Sequence, residues 1–361
     1  MHSSTSSSSA ALVEPQAAPA GAPFFGRALV LLAIAALVAV GGGHLAGRLH
    51  PPQALAPSAQ EIRGSDHFVV LFGNSHFEAG VLPDRLASDL SRDGRKVRAH
   101  AFTGGGWDAL HYFMLGLLSQ NVLRPDRDLA VIEVCPSTLD DAADHNRLGT
   151  IRPEAALPVA MLSGAPIELR LDVLLGGIAG LYRYRASLQS TMLPRLERVA
   201  SHLGERLHLA GELRVAPKFE LVTMPGMDFV IREIRGDRLA FQRASRAVLA
   251  DGAPKIKVGG YKLAALERTV ELLRRRRIEV WLVETGTSSW YDAQLRSVPA
   301  WGVYKDAMRR LAALPGVHYA ADWPADLSAD AEFWDDTHRV GTSAPRFTDE
   351  LAKRIATSLP E

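Results

Sequence analysis

FVVLFGNSHFEAG, residues 68–80, opens with five consecutive apolar side chains and then changes character abruptly at Gly73-Asn74-Ser75-His76. An uninterrupted apolar run of this length predicts a strand buried on both faces, as in a parallel sheet. Phe77 to Leu90 reads as the helical stretch that follows, interrupted early by Pro83. A strand, a polar turn and a helix form the first half of a βαβ unit. Ser75 therefore falls at the carboxyl edge of the sheet, where open α/β sheets place their ligands and where the N–H groups of a helix start can meet an anion. Taken alone, a serine in such a turn is as well explained as an N-cap.

The same alternation continues along the chain. Val97–Phe102, after an Asp93-Gly94 turn, predicts a second strand, and it runs into Thr103-Gly104-Gly105-Gly106-Trp107. Three successive glycines allow close backbone approach and positive φ. A helix follows over 108–119, starting at Asp108. Leu129–Val134 predicts a third strand, and the segment 140–165 reads as loop. Tyr261–Arg276 is an amphipathic helix with Leu263, Leu266, Val270 and Leu273 on one face. The basic run Arg274–Arg277 suits the end of that helix and its dipole. Ile278–Val283 is a fourth strand, with Glu284-Thr285-Gly286-Thr287 expected at the cleft; Gly302–Leu314 is a helix and Val317–Ala321 a short fifth strand. Strands alternating with helices predict an α/β fold, a parallel sheet of about five strands with helices on both faces.

The other end of the chain carries FWDDTHRVGTSAPRF, residues 333–347, with Asp335 and His338 spaced D-x-x-H ahead of a helix reaching Ala356. A serine after the first strand and a late D-x-x-H before the last helix resemble the SGNH/GDSL hydrolase superfamily. Its first block, usually G-D-S, reads Gly73-Asn74-Ser75 here, and its last block reads Asp335-Asp336-Thr337-His338. The resemblance covers roughly 62–165 and 260–361. It implies a three-layer α/β/α fold with flavodoxin-like strand order. It also implies a serine nucleophile, Ser75, a base, His338, and an orienting carboxylate, Asp335, with Asp336 the substitute at less fitting spacing. A glycine of the second block would give its N–H to the oxyanion, Gly105 first, with Gly104 and Gly106 close behind. The third block usually supplies an Asn; here the strand ends in Glu133-Val134-Cys135-Pro136-Ser137. The oxyanion would then rest on the Ser75 N–H and the glycine loop, helped by the Asn74 or Ser137 side chain. His76, as the nucleophile's neighbour in sequence, is given no role. Cys135 is read as a packed small apolar residue rather than a second nucleophile.

The 361 residues carry a formal net charge of +1, which gives no reason to expect nucleic acid as a partner. One cysteine excludes an internal disulfide, and on the sequence alone no cysteine-based zinc site is expected. The run Asp140-Asp141-Ala142-Ala143-Asp144-His145 invites a metal reading, but its spacing matches no helical ligand pattern. Neither a metal nor any other cofactor is expected. Residues 1–27 read as a disordered tail, rich in Ser, Ala and Pro up to residue 23. Ala28 to Gly47 contains no charged residue and is long enough for a bilayer span, so 28–48 is read as a transmembrane anchor; a cleaved signal peptide is the alternative. Arg27 and Arg48 flank it symmetrically and leave orientation open. Residues 49–61, with Pro51, Pro52 and Pro57, form a stiff linker, and 62–361 form the α/β domain.

Residues 166–258 separate the third and fourth strands and read as a largely helical insertion, placed to cap the sheet's carboxyl edge. Arg183, Arg185, Arg195 and Arg198 within it read as a solvated face. The resemblance places the domain outside the cytoplasm, tethered to the bilayer through 28–47. It points to an esterase or an O-acyltransferase acting on an acylated, typically acetylated, envelope or exported polysaccharide, with envelope-biosynthesis proteins as candidate partners. From a different class, an SGNH-fold envelope scaffold without catalysis would keep the fold and tolerate the missing third-block Asn.

Overall fold

The computed structural model describes residues 57–91, 94–141, 151, 153–178 and 238–359. The predicted tail and membrane anchor, His145 and the four insertion arginines lie outside them. Among the described residues no helix is long and apolar enough to cross a membrane.

Five parallel strands, β1 (His67–Gly73), β2 (Val97–Thr103), β3 (Leu129–Glu133), β4 (Glu279–Val283) and β5 (Val317–Ala320), form one sheet. Their order is β2-β1-β3-β4-β5, the doubly wound order of flavodoxin-like sheets. Every residue of β1 is buried. Phe68, Val70 and Phe72 enter one apolar cluster, and Val69 and Leu71 enter the other. This two-sided burial is the physical reason that β1 reads as a continuous apolar run rather than an alternating one.

On the Phe68 face lie α4 (Ala109–Ser119), α8 (Tyr261–Arg275) and α10 (Pro299–Ala312). Leu263, Leu266, Val270 and Leu273 of α8 are buried there, as their spacing predicts. On the opposite face lie α2 (Ser75–Gly80), α3 (Pro83–Leu90) and α11 (Ala344–Ala356), after the short α1 (Ala59–Arg63). Instead of one helix over 77–90 there are two, because Pro83 starts a new helix at its first position and leaves Leu82 extended. The first begins at Ser75 itself.

Two further departures from expectation concern helices hidden by prolines and by short length. The segment read as loop over 140–165 contains α5 (Pro153–Ala160), with Pro158 inside it. Burial of Ala155, Ala156, Val159 and Ala160 overrides the propensity cost. The insertion continues into α6 (Ile167–Ile178), and its far end is α7 (Arg238–Gly252). Between β4 and α10, an additional helix α9 (Ser289–Arg296) forms, capped by the Ser288 side chain accepting from the Tyr291 N–H at 3.2 Å.

Candidate active site

In this strand order the connections leaving β1 and β3 diverge to opposite faces of the sheet. A crevice opens between their carboxyl ends, where doubly wound sheets bind ligands. Gly73-Asn74-Ser75 leaves β1 into this crevice, and Glu133-Val134-Cys135 leaves β3 beside it. At Gly73 a Cβ would fall 2.4 Å from the Cβ of Phe77, so the turn can close down on α2 only with glycine. The Asn74 Oδ1 accepts the His76 N–H at 2.7 Å, the N-cap bond that starts α2. Ser75 occupies the first helical position and is 8% exposed.

β5 is the far edge strand, so the chain must cross back over the sheet to reach β1, and the segment between β5 and α11 does this. Phe333 and Arg339 form an isolated antiparallel bridge, and the Trp334 N–H donates to the His338 carbonyl at 2.8 Å, closing a tight turn over 335–337. Asp336 sits at its tip with φ 68°, a left-handed conformation that Asp and Asn tolerate better than most residues. One oxygen of Asp335, Oδ1, accepts the N–H of Thr337 at 3.0 Å, the N–H of His338 at 2.8 Å and the Thr337 hydroxyl at 2.9 Å. Its other oxygen accepts from His338 Nδ1 at 2.8 Å. His338 Nε2 lies 2.9 Å from Ser75 Oγ. The structure thus brings Ser75, His338 and Asp335 into one hydrogen-bonded line. Burial pushes the Asp335 carboxyl up, but the His338 ring and the two backbone N–H groups outweigh burial and hold it well below the usual carboxylate range.

Contacts from distant elements hold this turn and the helix after it in place, and none is legible in a motif. Arg339 is 1% exposed and stacks between Phe333 and Phe347, 4.7 and 4.2 Å from their rings. It donates to the carbonyls of Thr285 at 2.8 Å and Leu327 at 2.7 Å. Burial pulls its guanidinium down to about 9. Thr348 of α11 accepts the Leu82 N–H at 3.1 Å, tying the last helix to the start of α3. Asp336, the substitute carboxylate, is fully buried and turned away from His338: Arg246 of α7 donates to it through Nε and Nη2, both at 2.9 Å, and Gln242 at 3.1 Å. Ser245 of the same helix donates to the Asp335 carbonyl at 3.1 Å. α7 therefore clamps the His338 turn.

Of the glycine loop, Gly104 has its N–H committed to the Gly73 carbonyl at 3.3 Å, and a Cβ there would fall 2.3 Å from the Trp107 ring. This counts against Gly104 as an oxyanion donor: it is glycine because Trp107 packs on it. Gly106 adopts φ 71°. Asn74 spends its own N–H on Glu133 Oε2 at 2.6 Å and its Oδ1 on the α2 cap.

His76, assigned no role in the sequence reading, lies in the centre of the site. Its ring meets the His338 ring edge-on at 4.7 Å, and its Nδ1 is 3.5 Å from Glu133 Oε1. Glu133 is fully buried and also accepts from Thr285 at 3.3 Å and Tyr112 at 3.4 Å. Burial favours the neutral form of His76, but Cys135 and Glu133 together outweigh burial and push it up to about 10. Cys135 is half-buried rather than packed in the core, its Sγ 3.0 Å from Ser137 Oγ.

A cavity of about 200 Å³ lies alongside. His76 and Thr337, the sequence neighbours of the nucleophile and the base, form one wall, with Cys135, Ser137 and Thr285–Thr287. Leu249, Tyr291, Leu295 and Trp301 supply the apolar part of its lining. In the acidic run after β3, Asp140 and Asp141 accept the N–H groups of Lys257 and Lys262, at 2.8 and 3.0 Å, and so splice this loop to the start of α8. No protein-family model and no curated protein matches the chain.

Proposed function

We propose that the chain is a serine acyl esterase or O-acyltransferase of SGNH type. The observation that carries this reading is the continuous Ser75–His338–Asp335 line, with links of 2.9 and 2.8 Å, at the carboxyl edge of the sheet. His338 Nε2 takes the proton as Ser75 Oγ attacks the acyl carbonyl carbon. The tetrahedral intermediate collapses, the leaving alkoxide takes that proton from His338, and an acyl-serine remains. Water or a sugar hydroxyl then attacks the acyl carbon, His338 again accepts the proton, and the Ser75 oxygen leaves and is reprotonated. Asp335 holds the Nδ1–H tautomer and stabilises the imidazolium. The Ser75 N–H, at the first position of α2, and Gly105 are the proposed oxyanion donors.

The acylated envelope or exported polysaccharide, the extracytoplasmic setting and the anchor at 28–47 belong to the same proposal and rest on the motifs and the apolar run. The cavity beside the triad is lined by the sequence neighbours His76 and Thr337 rather than by Ser75 and His338 themselves, and its volume suffices for a small acyl group, since a void of ~150 Å³ already holds a benzene-sized group. A fluorophosphonate probe applied to the purified full-length chain tests the reading. Labelling of wild type that is lost in Ser75→Ala is expected. Absence of labelling in folded wild type would favour the non-catalytic scaffold, the reading that the missing third-block Asn keeps in view.

A further inference from the structure

Three chemically different metal-ligating groups converge beside the triad, and the acyl chemistry uses none of them. Glu133 and Cys135 are two residues apart at the end of β3, so the pleat sends both to the same side, toward α2. His76 reaches them from the first turn of α2. One ligand atom from each of the three, imidazole nitrogen, carboxylate oxygen and thiol sulfur, lies within 4.8 Å of the other two, and the nitrogen–oxygen pair is already at 3.5 Å.

We infer that His76, Glu133 and Cys135 form a binding site for one divalent cation of the zinc class. Bond lengths of ~2.0–2.3 Å to N, O and S give ligand–ligand edges of about 3.3–3.6 Å in a tetrahedron. The nitrogen–oxygen pair matches such an edge, and rotations of the His76 and Cys135 side chains close the remaining gap of about 1 Å. A thiolate with an imidazole selects a borderline cation over magnesium or calcium, which take oxygen ligands. The thiolate and the carboxylate together neutralise the ion. The supporting groups of a built site are present: the Asn74 N–H at 2.6 Å and the Thr285 hydroxyl at 3.3 Å fix the carboxylate, and the Ser137 hydroxyl lies 3.0 Å from the sulfur. His76 and Cys135 line the 200 Å³ cavity. A fourth position directed into that cavity is open to water or a substrate oxygen, the arrangement of sites with three protein ligands. Loading releases the Cys135 and His76 protons to solvent, with no change in oxidation state. The ion joins the nucleophile turn to the end of β3.

The test uses the full-length chain without a histidine tag, stripped with a chelator and dialysed against Zn²⁺, with bound metal measured by elemental analysis. Co²⁺ is titrated in parallel, for its thiolate charge-transfer absorption. One equivalent per chain is expected, together with a Tm that rises with added Zn²⁺. Cys135→Ala, a change at a half-buried site, is expected to abolish the charge-transfer band and weaken binding at least tenfold; His76→Gln is expected to weaken it similarly. Ser75→Ala is expected to bind as wild type, which separates this site from the acyl reading. Substoichiometric binding in wild type, or binding unchanged in both Cys135→Ala and His76→Gln, would overturn the inference and leave an ion pair only.

Discussion

Two adjacent carboxylates precede His338, and the structure gives them different work, so replacing each by Asn should have opposite consequences. In Asp335→Asn the amide oxygen takes the Oδ1 place, where three donors at 2.8–3.0 Å already converge. The NH₂ is then forced toward His338 Nδ1. Two donors cannot share that contact, so the ring adopts the tautomer with its proton on Nε2, facing Ser75. In that state His338 has no lone pair to accept the Ser75 proton. The acyl rate should fall by roughly 10²–10⁴, on the scale of the equivalent change in a serine protease triad, with Tm nearly unchanged.

In Asp336→Asn the amide oxygen best remains where Gln242 and Arg246 Nη2 both donate, placing NH₂ opposite Arg246 Nε at what was a 2.9 Å bond. A buried charge pair is thereby broken. Such losses run to ~3–5 kcal/mol when both partners are buried; because the Arg246 side chain is 28% exposed, about 2–3 kcal/mol is expected here. That corresponds to a Tm lower by roughly 4–12 °C, with the rate down by less than about tenfold because the His338 turn loosens without losing its proton path. Asn accepts the positive φ at 336, so backbone strain does not confound the comparison. Steady-state hydrolysis of an aryl acetate and thermal melting of both variants decide the matter. A larger rate loss in Asp336→Asn at unchanged Tm would refute the assignment, as would equal mild losses in both.

Ser75→Ala and His338→Ala should each nearly abolish acyl turnover, and the double variant should be little worse than either, because the residues act as a unit; independent multiplicative losses would sink the shared mechanism. Gly104→Ala should destabilise the fold by about 1–3 kcal/mol, because its Cβ meets the Trp107 ring; an unchanged denaturant midpoint would remove the packing account of the glycine loop. His76 titrates at about 10 in the folded chain against ~6.5 when unfolded. A raised folded value means that its stabilisation is complete below about pH 6.5 and is lost progressively as pH rises toward about 10. Metal-free wild type should therefore lose Tm over this interval more steeply than His76→Gln, and parallel slopes would show that the contacts of His76 with Cys135 and Glu133 contribute nothing. Asp335 works in the opposite direction: its contribution is present above about pH 3.9 and is lost as pH falls further.

The strands were readable because each is a local run of buried side chains, and two-sided burial writes itself directly into β1 as Phe68–Phe72. The D-x-x-H spacing was readable for a similar reason: a four-residue turn can bring Asp335 and His338 together without help from elsewhere. Placing Ser75 opposite them needed a match between two motifs 263 residues apart, and that information lies in their order along an alternating fold. The rest of the site has no local signature. Which aspartate faces His338 depends on Arg246 and Gln242, which are 90 and 94 residues away from Asp336 and sit in a helix whose sequence is unremarkable. α5 and α9 have little local signature because each is only eight residues long, and burial rather than propensity holds α5. His76 and Cys135 were set aside because a sequence neighbour of a nucleophile and a lone cysteine carry no meaning alone. Their meaning comes from Glu133, a buried carboxylate that sequence order places far from His76 and that the crevice between β1 and β3 places beside it. Local burial and spacing are properties of the chain, whereas the partner of a buried charge is chosen by the packing of distant elements, and only the tertiary structure specifies it.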